Sequence, residues 1–195
     1  MNPPQITEIE TETPLPPARI SWFAGAAILA LALDQLSKIW IRAGLPEGAG
    51  LPLLPGWIHL EHVKNHGAAW GVLAGQKWLL IAFTIAVTAL VLSSAREVSR
   101  RGKIAAIGFG FILGGALGNL FDRVMFGYVT DFFDLDTPVA WLQTFPVFNV
   151  ADSALTGGVI LMLITLLRFP DEKTQATKDT KNTPRGTKKN EEINL

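Results

Sequence analysis

The sequence predicts an all-α membrane protein: four transmembrane helices, a small sheet on the outer surface and both termini on the cytoplasmic side. Three observations carry this. Of the 195 residues 49% are hydrophobic, and they gather in four blocks at 20–41, 76–95, 104–125 and 150–169. Each block approaches the roughly 20 apolar residues that cross a bilayer as a helix. Lys and Arg crowd some of the intervening segments and are nearly missing from others, which sets orientation. The net charge is zero, which excludes a strongly basic nucleic-acid binder, and the apolar content excludes a disordered chain.

The chain begins with MNPPQITEIETETPLPPAR, residues 1–19, which is proline-rich and acidic with a single late arginine, Arg19. A secretory signal would start basic and end on small residues, so this stretch reads as a disordered tail before a retained first span. Span one, 20–41, carries Asp34 and Lys38 four residues apart, on one helical face. Residues 51–71, LPLLPGWIHLEHVKNHGAAWG, have strand character at 57–64. Turn signals flank it, Pro55-Gly56 before and Asn65 to Gly67 after, so a small sheet lying on the membrane surface is expected.

Span two, 76–95, holds Thr84, Thr88 and Ser93 but no ionisable residue before Arg96, apart from Lys77 at its start. A basic loop follows with Arg96, Arg100, Arg101 and Lys103. Span three, 104–125, carries Gly114, Gly115 and Gly118, a sign of close helix packing, and then Asn119, Asp122 and Arg123. GYVTDFFDL, 127–135, supplies a further strand or a short helix and contains Asp131 and Asp134. Residues 137–148 hold aromatics suited to the membrane interface. Span four, 150–169, has Asn149 just before it and Asp152 in its first turn. Residues 170–195 are charged and poor in apolar groups, which predicts a second disordered tail.

Orientation follows from the basic residues. They concentrate between spans two and three and after span four, while 127–149 contains no Lys or Arg and 44–75 contains only Lys64. The two long segments therefore face outward. On this map Asp34, Lys38, Asn119, Asp122, Arg123, Asn149 and Asp152 all fall at the outer ends of their spans. A charge at membrane depth costs about 2.5–3.5 kcal/mol on insertion scales, so a one-sided cluster needs a reason.

Each candidate has a structural alternative. Asp34 and Lys38 form an ion pair that eases insertion. Asp122 forms a local pair with the adjacent Arg123, whose fork reaches a phosphate or a peptide carbonyl. Asp152 or Asn149 caps span four. Asp131 alone is a loop acid. Two carboxylates on neighbouring outer segments have a further use: brought together they share a proton and act as acid and base on one water. His59, His62 and His66 are the only histidines; turn signals around them oppose a helical metal site, and on a strand His59 and His62 face opposite ways. No cysteine is present, so there is no disulfide, thiol nucleophile or thiolate metal site.

Five segments in order, DQLSK (34–38), NHGAAWG (65–71), GGALGNLFDR (114–123), GYVTDFFD (127–134) and FNVADSAL (148–155), resemble the motifs of prolipoprotein signal peptidase, or signal peptidase II, a family of bacterial aspartic membrane peptidases. The resemblance spans 20–169 as one peptidase domain. Trp70 stands where phenylalanine is more usual, Thr130 replaces the second valine of a Val-Val-Asp-Phe stretch, and 135–144 is long and apolar. The resemblance implies a four-helix membrane core with a small extracytoplasmic β-sheet cradle. It implies cleavage of the signal peptide just before a diacylglyceryl-modified cysteine. Its catalytic carboxylates fall on Asp131 and Asp152. Asp122 competes for the first position, and Asp131 is preferred because pairing with Arg123 would keep Asp122 ionised and occupied.

For binding the substrate, the same reading names Asp34, Lys38, Asn65, Asn119, Arg123 and Asn149. No metal or organic cofactor is expected. The expected partners are lipid-modified prolipoproteins and membrane lipids, not nucleic acid, with the chain acting as a monomer. The expected location is the bacterial cytoplasmic (inner) membrane, with the active site on the extracytoplasmic side. Two rival readings, a small proton-coupled transporter and a non-catalytic assembly or lipid-binding subunit, use the same acids differently.

Overall fold

A computed structural model describes residues 17–68 and 72–168. Its elements are α1 (Ile20–Gly44), β1 (Gly50–Leu54), β2 (Ile58–Asn65), α2 (Lys77–Arg100), α3 (Lys103–Met125), β3 (Val129–Asp134) and α4 (Val150–Arg168). All four helices are long and apolar enough to cross a membrane. The disorder expected of the tails falls outside the described residues, apart from residues 17–19, where the Arg19 N–H donates to the Ser99 carbonyl at 3.2 Å. Trp70 also lies outside them.

The four helices match the four apolar blocks, with one correction. Arg96 and Arg100 sit on α2 and not in a loop, because nothing breaks that helix before Gly102, whose φ is 141°. The turn into α3 is only Arg101 and Gly102.

Helix α3 is the centre of the bundle, packed along α1 and α4 and on its remaining side against α2. Small residues allow this. A Cβ on Gly114 would lie 2.5 Å from the Ala27 carbonyl oxygen of α1, and one on Gly115 would lie 2.5 Å from the Ala151 carbonyl oxygen of α4. Backbones this close gain dispersion contacts that larger residues would forbid, which matters in lipid, where no hydrophobic force drives helices together. Phe23, Ala27, Val91, Ala95, Ala106 and Leu113 form the buried cluster joining α1, α2 and α3.

The segment 127–135 is a strand, and β1 is a strand that the sequence reading did not anticipate. The three form an antiparallel sheet in the order β1-β2-β3. Ile41 of α1, Leu60 of β2 and Phe132 of β3 make a second buried cluster that fixes the sheet to the end of α1. Asn65 pairs with Val129 and Val63 with Asp131. Asn65 and Asp131 are therefore diagonal neighbours on one face, within side-chain reach. Gly127 ends α3 with φ 84° and its N–H on the Arg123 carbonyl at 3.2 Å. That left-handed conformation is cheap only for glycine, and it turns the chain straight from α3 into β3.

Candidate active site

The site forms where the C-terminal ends of α1 and α3, the start of α4 and the strand β3 meet. Asn149 precedes α4 and caps it. Its Oδ1 accepts the Asp152 N–H at 3.0 Å, and Asp152 Oδ2 accepts the Asn149 N–H at 3.1 Å. This is a reciprocal capping box, so two otherwise orphaned helix donors are satisfied. Both residues named as possible caps take part, and Asp152 still has its other oxygen available. That oxygen, Oδ1, accepts from Asn119 Nδ2 at 2.8 Å.

Asp131 is held in the same fashion from β3. Its Oδ1 accepts from Asn149 Nδ2 at 2.6 Å and its Oδ2 from Asn65 Nδ2 at 2.9 Å. Asn149 Nδ2 also reaches Asn119 Oδ1 at 3.1 Å. The two carboxylates thus belong to one hydrogen-bond chain running Asp131, Asn149, Asn119, Asp152. Asp131 is 2% exposed, whereas Asp152 is half-buried. Burial, and next the negative charge of Asp152, push the Asp131 carboxyl from its ordinary 3.8 up to about 7; the donors on Asn65 and Asn149 and the charge of Lys38 pull the other way.

Beneath this layer lies a wholly buried ionic one. Lys38 Nζ is 3.0 Å from Asp34 Oδ2, 3.4 Å from Asp122 Oδ2 and 2.8 Å from Asn119 Oδ1. Asp34 Oδ1 accepts the Ala151 N–H at 2.9 Å, so the ion pair also braces the start of α4. The expected pairing of Asp122 with Arg123 does not occur. Adjacent residues on a helix point about 100° apart, and the partners of Asp122 are Lys38, Arg42 at 3.4 Å and the Thr130 N–H at 2.9 Å. Arg123 donates instead to the carbonyls of Gly67 at 3.0 Å and Asn119 at 3.4 Å. Asp122 is occupied as expected, but by cations of α1.

All eight residues assigned to catalysis or substrate binding from the sequence meet in this cluster, and so does the rival Asp122. Two others join it. Gln35 donates to Asp34 at 3.0 Å and to the Gly118 carbonyl at 3.1 Å, and Arg42 donates to Thr130 Oγ1 at 2.9 Å. Arg42 had a readable signal, since Asp34, Lys38 and Arg42 repeat at four-residue spacing. The histidines lie apart: His62 Nδ1 is 2.8 Å from the Leu45 carbonyl oxygen, and the His66 ring packs on Tyr128 with centroids 5.7 Å apart. Among the described residues no three His, Asp or Glu side chains gather as metal ligands.

A cavity of about 1050 Å³ opens onto the carboxylates. Asn65, Asn119, Arg123, Asp131 and Asp152 form its polar end, and Leu79, Leu80, Phe83, Val87, Leu155 and Ile160 extend it between α2 and α4 as an apolar channel. An apolar cavity with a few convergent polar groups at one end suits a substrate with a greasy body and one bond to be attacked.

The family model for signal peptidase (SPase) II matches residues 26–168. The chain belongs to the signal peptidase II family. A lipoprotein signal peptidase of Gloeobacter violaceus is 46% identical to this member over 157 residues, 77% of this chain and 84% of that protein. One of Moorella thermoacetica is 40% identical over 141 residues, 72% and 89% of the two chains. A solved bacterial membrane enzyme, determined in meso at 2.3 Å, superposes on this signal peptidase II family member with a TM-score of 0.72 at 28% identity, covering 90% of this chain and all of that one. The chain is thus a multi-pass membrane protein of a protease family, and the transporter and assembly-subunit readings fall away.

Proposed function

We propose that this family member is an aspartic endopeptidase that removes the signal peptide from diacylglyceryl-modified prolipoproteins, cutting before the lipidated cysteine, with Asp131 and Asp152 as the catalytic pair. The single observation that carries this is the chain of amide hydrogen bonds that fixes both carboxylates at the polar mouth of one apolar cavity. The relatives, lipoprotein signal peptidases, point to the substrate class, and a cavity with one polar end and a long apolar body suits an apolar, lipid-bearing substrate.

In this mechanism one carboxylate is ionised and the other protonated. The ionised one takes a proton from a water as the water oxygen bonds to the scissile carbonyl carbon. The protonated one gives its proton to the carbonyl oxygen. Collapse of the resulting diol breaks the C–N bond, and the departing amine of the lipidated cysteine takes a proton from the pair. Asn119 and Asn149 hold the carboxylates. Asn149 is fully buried, so its part is to position the acids and not to touch substrate. Arg123 and Asn65, at the cavity wall, are the contacts for the extended substrate backbone. Asp34 and Lys38 form the floor on which these groups rest.

Arg19, Arg96, Arg100, Arg101 and Lys103 lie at the opposite end of the bundle from the carboxylates, which supports termini on the cytoplasmic side and an extracytoplasmic site in the inner membrane. The test is to incubate the purified protein with a diacylglyceryl-modified precursor in water enriched in oxygen-18. The expected products are a signal peptide labelled at its new carboxyl terminus and a chain beginning at the lipidated cysteine. Intact precursor, or equal cleavage of unlipidated precursor, would overturn the reading.

A further inference from the structure

Arg42 is the outermost member of the Asp34, Lys38, Arg42 stripe on α1. Three contacts hold it. Its Nη1 is 2.9 Å from Thr130 Oγ1 and 3.4 Å from Asp122 Oδ1, and its guanidinium carbon sits 4.6 Å from the centroid of the Phe126 ring, at the end of α3. The second oxygen of Asp122 accepts the Thr130 N–H at 2.9 Å. Thr130, fully buried, is therefore gripped by its hydroxyl and by its backbone donor at once.

Thr130 immediately precedes Asp131 on β3. Successive side chains of a strand point to opposite faces. Fixing Thr130 against α1 and α3 thereby sets the direction in which Asp131 enters the cavity, without touching Asp131. We propose that Arg42 is a positioning residue for Asp131, clamping the start of β3 by holding the Thr130 hydroxyl and the Asp122 carboxylate together. This rests on the assignment of Asp131 made above.

Arg42 has a second effect, through charge. Lys38 and Arg42 balance Asp34 and Asp122 in the buried layer. The charged groups facing Asp131 are Asp152 from α4, Lys38 from α1 and Arg123 from α3, with Asp122 one step further back on the Thr130 N–H; β2 presents the neutral Asn65, since Lys64 is turned to Glu47 at 2.6 Å. Removing Arg42 leaves one uncompensated negative charge behind Asp131, which opposes its ionisation. Removing the Thr130 hydroxyl loosens the clamp and leaves every charge in place.

The experiment compares Arg42→Gln, Arg42→Lys, Thr130→Val and Asp131→Asn in a cleavage assay with lipid-modified precursor across pH, with thermal unfolding in the same detergent. Arg42→Gln is expected to lower kcat about tenfold, the rate equivalent of one hydrogen bond to a charged group. It should change KM little and move the pH profile upward. Thr130→Val removes only the hydroxyl partner and leaves Arg42 on Asp122, so it is expected to lower kcat less, about threefold, with the pH profile unmoved. Arg42→Lys restores the profile but not the full kcat, because an ammonium lacks the planar guanidinium that packs on the Phe126 ring and fixes the donor's direction. Wild-type kcat and profile in both Arg42→Gln and Thr130→Val, with Asp131→Asn inactive, overturns the clamp alone. Activity in Asp131→Asn overturns the assignment and the clamp with it. Should Arg42→Gln fail to fold, Thr130→Val, nearly isosteric, decides: lower kcat at unchanged melting temperature supports the clamp, and unchanged kcat overturns it.

Discussion

Asn149 donates to Asp131 across 2.6 Å, and the same residue exchanges two hydrogen bonds with Asp152 in the cap of α4. One residue thus reaches both carboxylates, Asp131 through its side-chain amide and Asp152 through its backbone N–H, from a position where a helix needs a cap for its own stability. The carboxylates are held by the same contacts that start α4, so the site and the fold share a joint.

Asn149→Ala removes that joint. Loss of an N-cap costs about 1 kcal/mol of stability, and the Asp131 carboxylate loses its Asn149 donor, while the backbone N–H at 149 still donates to Asp152. Cleavage is expected to fall by about 100-fold or more, the effect of misplacing a catalytic group by about 1 Å, with a melting temperature lowered by a few degrees. Kinetics and thermal unfolding of the purified variant check both. A variant melting lower but cleaving normally would show that Asn149 is only a cap.

The proton held by the pair sets a pH dependence. Asp131 has its carboxyl raised from 3.8 to about 7 by burial and by the charge of Asp152. In the proposed mechanism the form of the pair that carries one proton is the working one. Cleavage should therefore decline above about pH 7 on that account. Stability has a definite sign too. As pH rises from 3.8 toward 7, the unfolded chain gives up the Asp131 proton and the folded chain keeps it. Stability therefore falls across that window and stays low above it. Asp131→Asn should remove most of this slope and melt higher than wild type at alkaline pH. Melting curves at several pH values measure this; identical slopes in the two proteins would contradict it.

Gly118 lies where α3 passes Asp34, and a Cβ there would overlap the Asp34 carboxylate. Asp34 cannot swing away freely, because Lys38 and the Ala151 N–H hold its two oxygens. Gly118→Ala should separate α3 from α1 and α4 and cost stability of about 3 kcal/mol or more, the scale for disturbing a buried ion pair. Gly25→Ala, where a Cβ meets nothing within 4 Å, is the control and should melt like wild type. Thermal unfolding of the two variants side by side decides it.

What the sequence made legible divides along physical lines. Hydropathy over twenty residues is a strong signal, so the four helices came out nearly at their final bounds. Asp34 and Lys38 were readable as neighbours because a helix places residues four apart on one face, yet the same rule applied once more would have found Arg42. The partner of Asp122 was misread because sequence adjacency is not spatial adjacency on a helix: its cations come from α1, about eighty residues earlier. β1 escaped notice because LPLL is exposed throughout and shows no alternation; its pairing comes from β2 alone. That Asn65, Asn119 and Asn149 would bind the carboxylates follows from strand register and helix packing, and neither is written in local sequence.

The central claim, that Asp131 and Asp152 together activate water, is tested most directly by measuring cleavage of a lipid-modified precursor by Asp131→Asn, Asp152→Asn and Asp122→Asn, each purified and shown to be folded. Asp131→Asn and Asp152→Asn should each lose at least about 1,000-fold in kcat, comparable to losing an acid–base group, and Asp122→Asn should keep measurable turnover at reduced stability. Normal cleavage by Asp131→Asn or Asp152→Asn, or abolition by a well-folded Asp122→Asn alone, would contradict it.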